Sequence, residues 1–184
     1  MKTTAADLVG PKRWARVHKR VWDTPGSIVD IGCEGWLWSR QFLGRKPVVG
    51  YGLLSSQVPE GAEYYPMAVG PGFGELILHG SGQETTLDAS SRVSVRAVMV
   101  SLASVIEKHR PIAALKLNVE RMEYAVLATV EHPIADQLAV SFHHHASGDA
   151  WRAAWTVGMI NVLKQWYEPV KLHRRWGWWL FVKR

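Results

Sequence analysis

The sequence predicts an α/β protein: a mainly parallel sheet with helices on both faces, finished by a C-terminal antiparallel hairpin. Three observations carry this. Short apolar runs recur with little alternation, at Ile28-Val29-Asp30-Ile31, Pro47-Val48-Val49, Ile112 to Leu117 and Leu138 to Val140, and such runs belong to strands buried on both faces. Stretches with helical spacing stand between them, and alternating strand and helix is the order that gives parallel pairing. The chain ends on Val170-Lys171-Leu172 and Trp178 to Val182, two strand-like runs around Arg175-Trp176-Gly177, close enough to pair as a hairpin.

With 184 residues, the chain suits one domain, and a chain of this size buries about 70% of the surface its unfolded form exposes. Residues 1–22 read as a basic lead-in helix and residues 23–184 as a single domain. Cys33, the one cysteine, excludes an internal disulfide. The first residues lack the apolar core of a secretory signal, and no run approaches the roughly 20 apolar residues of a membrane span. A cytoplasmic protein without a transmembrane segment is therefore expected.

The formal net charge of +6 is unevenly placed: residues 1–22 carry six Lys/Arg against Asp7, and residues 164–184 carry six against Glu168, which leaves the middle acidic. Basic ends suit solubility, and they also suit weak, non-specific contact with RNA or another anionic surface. Trp176, Trp178 and Trp179 crowd the last turn, where large aromatics serve as core or as a stacking surface.

Taken in order, Leu8, Val9, Trp14, Val17, Val21 and Trp22 recur at loosely helical spacing among basic residues, which predicts the lead-in helix. Asp23-Thr24-Pro25-Gly26 is a turn. The first buried strand follows and runs into Gly32-Cys33-Glu34-Gly35; a short helix is expected over Trp36 to Phe42, ended by Gly44. Pro47 to Tyr51 is a second strand. Glu63 to Val69 reads as a third, with Pro66 arguing against a central position for its far end. Gly70-Pro71-Gly72-Phe73-Gly74 turns into an edge strand, Glu75 to His79, and residues 80–91 are polar and irregular. Val93, Val95 and Ala97 alternate with Ser94 and Arg96 as a half-buried strand. Ser101 is placed to cap a helix from Leu102 to His109.

Pro111 to Leu117 is a further buried strand, and Val119 to Glu131 the best helical pattern in the chain, with Met122, Val126, Leu127 and Val130 on one stripe and Pro133 beyond its end. Gln137 to Phe142 forms another strand and runs into His143-His144-His145. A helix from about Trp151 to Trp166 precedes the terminal hairpin.

Chemistry concentrates where strands end. In an open α/β sheet, ligands lie outside the carboxyl ends of the strands. Asp30 stands there beside Gly32 and Gly35, whose missing side chains suit a tight turn or a close ligand equally. Glu120 and Glu123 fall near a helix start, where acidic residues compensate the dipole or serve a site. Three consecutive histidines on alternating strand faces do not converge on one ion, so His143 suits a single neutral site histidine better than a metal cluster. Cys33 has no histidine or aspartate spacing of a nucleophile constellation and reads as a space-filler. The lysine phosphate loop and the Gly-x-Ser-x-Gly elbow are both missing.

Four segments in register resemble the FkbM family of S-adenosylmethionine-dependent methyltransferases. The first is Ile28-Val29-Asp30-Ile31-Gly32-Cys33-Glu34-Gly35-Trp36-Leu37-Trp38-Ser39, similar to a family motif of the sense Asp-x-Gly-x-x-x-Gly-x-x-Ser with a turn one residue shorter. Ala68-Val69-Gly70 matches the family's Ala-Val-Gly. Lys116-Leu117-Asn118-Val119-Glu120-Arg121-Met122-Glu123 echoes Lys-Ile-Asp-Val-Glu-Gly-x-Glu, and Ser141-Phe142-His143 echoes Glu-Phe-His. The closing hairpin is similar as well, so the resemblance runs from about residue 26 to the end.

The resemblance implies a Rossmann-like class I methyltransferase fold with S-adenosylmethionine across the first glycine turn. It implies cofactor contacts from Asp30, Gly32, Gly35, Tyr51, Gly52, Ala68, Asn118 and Glu120, and an acceptor-side role for His143 as general base or positioning group. The expected activity is O-methylation of a small molecule or glycan. Four positions depart from the family. Gly52 stands where an acidic residue would accept from the cofactor's ribose, and Asn118, Arg121 and Ser141 replace the family's Asp, Gly and Glu. The contrasting expectation is a catalytically silent methyltransferase-like domain that binds through its basic ends.

Overall fold

The computed structural model describes residues 2–53, 57–79, 94–119, 122–143, 150–173 and 177–184. The elements are β1 (Leu8–Val9), β2 (Val17–His18), β3 (Ser27–Ile31), β4 (Val48–Tyr51), β5 (Ala62–Tyr65), β6 (Ala68–Gly70), β7 (Gly74–His79), β8 (Ser94–Ser101) and α1 (Leu102–His109). They continue with β9 (Ile112–Leu117), α2 (Glu123–Leu127), β10 (Gln137–Ser141), α3 (Ala150–Leu163), β11 (Tyr167–His173) and β12 (Trp178–Lys183). The result is a mixed α/β fold with a large, mostly parallel sheet and few helices.

Seven strands form the main sheet in the order β11-β12-β10-β9-β3-β4-β5. The five from β10 to β5 are parallel, and β12 and β11 add an antiparallel end. All of β4, β9 and β10 is buried, as is β3 from Ile28 onward, which is why their sequences are apolar with so little alternation. From β3 the chain moves outward to β4 and β5, then crosses back to lay β9 on the other side of β3. The strand order therefore reverses between β3 and β9.

One face of the sheet packs Val29, Ile31, Leu115, Leu117 and Phe181 against residues of α1, α2 and α3, including Val105, Leu127 and Leu163. The opposite face packs Ile28, Val48, Ala114 and Leu180 against Val17, Val21, Trp36, Trp38 and Phe42. Helices on both faces were expected; among the described residues the second face is covered by 3-10 turns and the β1–β2 ribbon instead. Two backbone features account for this. Gly10 at φ 140° and Pro11 break the lead-in, and Gly35 at φ 66° with Trp36 at φ 54° breaks the expected 36–42 helix into turns at Glu34–Trp36 and Ser39–Phe42. Left-handed residues cannot continue a right-handed helix.

The lead-in is clasped to the sheet by polar contacts. Gln137, fully buried, accepts from the His18 amide (2.8 Å) and donates to the His18 carbonyl (2.9 Å). Arg20 donates to both carboxylate oxygens of Asp136 and to the Lys183 carbonyl.

The expected third strand is two strands in different sheets. Pro66 has no amide hydrogen to continue a ladder, Met67 turns back onto the Tyr65 carbonyl (2.8 Å), and β6 leaves to pair with β8 in a small β6-β8-β7 sheet. The expected 119–131 helix is a single turn, α2. Its C-terminal end tightens into i→i−3 bonds at Thr129 and Val130, and the Thr129 hydroxyl donates back to the Val126 carbonyl (2.8 Å), a competition that weakens helices. The Ser101 cap of α1 is as expected, its side chain accepting from the Ser104 amide (3.1 Å). Among the described residues, no helix is long and apolar enough to cross a membrane.

Candidate functional site

The reversal between β3 and β9 brings the ends of both strands together. The Asn118 amide donates to the Ile31 carbonyl (3.0 Å), and the Gly32 and Cys33 amides both donate to the Tyr51 carbonyl at the end of β4 (2.8 and 3.2 Å). Gly32 holds φ 79°, and a Cβ there would come within 1.8 Å of the Asn118 carbonyl oxygen. The glycine is required by the neighbouring strand end itself. Gly35 sits differently: it is exposed, and a Cβ would meet only the Leu37 side chain, at 3.8 Å. Gly32, Gly52, Ala68 and Asn118 are half-buried.

Beneath this turn lies a charged network. Asp30, fully buried, accepts from Lys116 Nζ at Oδ1 (2.7 Å) and from Ser39 Oγ at Oδ2 (2.6 Å). Lys116 also donates to the Gly32 carbonyl (2.7 Å). The pair follows from register, since Asp30 and Lys116 are directly paired positions of β3 and β9. Sequence reasoning placed Asp30 in the site and left Lys116 without a role. The signal was available: each is the lone charge in a buried strand, and the signs are opposite, which burial demands.

Cys33 is fully buried, and burial, with Asp30 nearby, pushes its thiol up to about 12. It is an inert filler, as expected. A Cβ on Gly50 would lie 2.2 Å from the Trp36 ring. Gly50 is thus the floor on which Trp36 lies, and the Trp36 ring meets Tyr64 edge-on at 6.0 Å between centroids.

At the end of β4, Tyr51 is buried and stacks on Tyr65 (4.8 Å between centroids, 14° between planes). Its hydroxyl bonds His109 Nε2 at 2.9 Å. Burial raises the Tyr51 hydroxyl to about 12 and lowers His109 below its ordinary 6.5, so at neutral pH the bond joins two uncharged groups. Gly52 has its amide on the Tyr65 carbonyl (3.2 Å) and its carbonyl under the Tyr64 hydroxyl (2.6 Å). Its φ lies outside the left-handed region, and a Cβ would meet Cys33 Sγ at 3.3 Å.

Across Asn118 from the turn, Glu123 opens α2 and is fully buried. Its Oε1 accepts from the Val119 amide (2.9 Å) and lies 2.9 Å from Nδ1 of His143, which follows β10 and is 14% exposed. Of the two acidic residues singled out in that segment, Glu123 is therefore joined to His143. Glu120, Arg121, His144 and His145 lie outside the described residues, as do Arg174, Arg175 and Trp176 of the basic hairpin turn. Among the described residues, no group of three His, Cys, Asp or Glu side chains is placed to hold a metal ion.

No family model matches the chain, and no curated protein sequence matches it. A solved structure does: the methyltransferase FkbM from Methylobacillus flagellatus KT aligns with a TM-score of 0.50 at 12% identity, covering 85% of this chain. The aligned part is 43% of that protein. At this identity the likeness is one of fold.

Proposed function

We propose that this chain is a methyltransferase of the FkbM type that uses S-adenosylmethionine to methylate a hydroxyl of a small molecule or glycan. The observation that carries the reading is the convergence of Gly32, Gly35, Gly52, Asn118 and the Glu123–His143 pair on the carboxyl ends of β3, β4, β9 and β10, around the strand reversal. That is where an open α/β sheet takes its ligand. The sheet order supports the same reading, with a mainly parallel sheet that ends in an antiparallel terminal hairpin, as the resemblance implies.

The residues suit the cofactor unequally. Gly35 offers exposed, bare backbone with only the Leu37 side chain near where a Cβ would be, and Asn118 offers an amide that accepts and donates; these fit the amino-acid end. Gly52 offers no carboxylate to the ribose, and both its backbone groups are already bonded. The cradle fits, with weakened affinity at the ribose edge. The bound sulfonium would supply the methyl group. Asp30, Lys116 and Ser39 hold the turn in place, and His143 stands on the acceptor side to take the proton that a hydroxyl must lose, as a general base does.

A second reading, a silent binding domain of the same fold, is favoured by the bare Gly52. Calorimetric titration with S-adenosylmethionine and S-adenosylhomocysteine separates the two. Saturable binding at millimolar concentration or tighter is expected; no binding of either at millimolar concentration removes the enzyme reading and leaves the silent domain.

A further inference from the structure

We infer that Glu123 is the positioning residue of this site: its buried carboxylate holds His143 as the Nδ1–H tautomer and so places the ring's proton-accepting lone pair on Nε2. The inference rests on the proposed function only for what that lone pair does, which is to accept a hydroxyl proton.

The physical case begins with burial. Glu123 has no exposed surface, and an ionised carboxylate in such a place must be hydrogen-bonded to persist. Oε1 receives the Val119 amide at 2.9 Å and faces His143 Nδ1 at 2.9 Å. An ionised carboxylate only accepts. With the Val119 amide donating to the same oxygen, the proton of the Nδ1 contact belongs to the ring. A neutral imidazole protonated on Nδ1 carries its lone pair on Nε2.

The Val119 amide ties the end of β9 to the start of α2. The second bond reaches a different strand, since His143 follows β10, the parallel neighbour of β9. One carboxylate thus fixes the relative position of the two strand ends and the orientation of the His143 imidazole. This is the arrangement in which a third group orients a catalytic base.

The test reads the tautomer directly and needs no methyl donor. In 15N-labelled protein at pH 8, long-range proton–nitrogen correlation of the imidazole rings, with His143 assigned by the signals lost in His143→Gln, is expected to show Nδ1 protonated and Nε2 unprotonated. Glu123→Ala is expected to lose this single-tautomer signature, whereas Glu123→Gln, whose amide oxygen can accept the same bond, keeps it. An Nε2–H ring in the wild type, both nitrogens protonated up to pH 9, or an unchanged Nδ1–H ring in a folded Glu123→Ala variant would each overturn the inference. If the alanine variant does not fold, the wild-type tautomer alone decides. Failure of cofactor binding would leave this result standing, and an Nε2–H ring would leave the titration standing, so the two readings fail separately.

Discussion

Replacing Lys116 by Met removes an ammonium that makes two 2.7 Å bonds, one to Asp30 Oδ1 and one to the Gly32 carbonyl. The side chains of Lys116 and Asp30 are 7% and 1% exposed, so solvent cannot take the place of the lost partner. Asp30 keeps the Ser39 hydroxyl, which stabilises a carboxylate less than a cation does. Breaking a buried pair from one side costs about 3–5 kcal/mol, and for a chain of this size each kcal/mol lowers Tm by about 2–4 °C. Thermal and urea unfolding of Lys116→Met should therefore show a fall of about 6–20 °C. The double variant Lys116→Met/Asp30→Leu removes both charges and should recover much of the loss, because an apolar pair of similar volume is often as stable as the buried ions. A loss below about 1 kcal/mol in the single variant, or strictly additive losses in the double, would refute the pair as the lock of the turn.

Gly52→Glu is expected to fold, since φ is permissive and the new Cβ would meet only Cys33, its Sγ at 3.3 Å and its amide nitrogen at 3.4 Å; it should tighten S-adenosylmethionine binding by about 10- to 150-fold, the equivalent of about 1.5–3 kcal/mol for a bond to a charged group. A folded variant with unchanged affinity in calorimetry places Gly52 away from the ribose and advances the silent-domain reading. His109 is held below 6.5 chiefly by burial, so the unfolded state binds the proton first on acidification and stability is lost as pH falls below about 6.5. Urea midpoints between pH 7.5 and 5.5 should therefore slope less in His109→Gln than in the wild type, and equal slopes would contradict this. Cys33, buried with its thiol at about 12, should resist alkylation at pH 8 until the protein is unfolded; rapid labelling of the native protein would contradict the packing described for the turn.

What was legible in the sequence is what depends on neighbours along the chain or on burial of a whole strand. The apolar runs of β3, β4, β9 and β10 read correctly because a strand covered on both faces has no polar side to show. Ser101 read correctly because a cap acts within three residues. The lead-in was misread because Trp14, Val17 and Val21 pack as a wall against the sheet, and such a wall needs no helical period. Trp36 at φ 54° was illegible for another reason: a bulky residue rarely adopts that conformation, and here the Trp36 ring lies where a side chain on Gly50 would be. The site divides the same way. Its glycines are marked by sequence, whereas Asp30–Lys116 joins residues 86 apart and Glu123–His143 residues 20 apart, and both need the β3-β9-β10 order before they can be paired.

These two buried pairs flank Asn118 and differ in what they do to charge. Asp30 and Lys116 are opposite full charges 2.7 Å apart, so the base of the turn is close to neutral as seen by a ligand lying across it. Glu123 and His143, 2.9 Å apart, form an ion pair only when the imidazole is protonated. Lys116→Met then acts on binding in two opposed ways, loosening the turn while uncovering the Asp30 charge. Salt separates them. Attraction to an uncovered charge weakens as ionic strength rises, whereas a displaced turn does not recover. If Asp30 is shielded by Lys116 in the native protein, the variant's affinity for S-adenosylmethionine depends more steeply on salt than the wild type's.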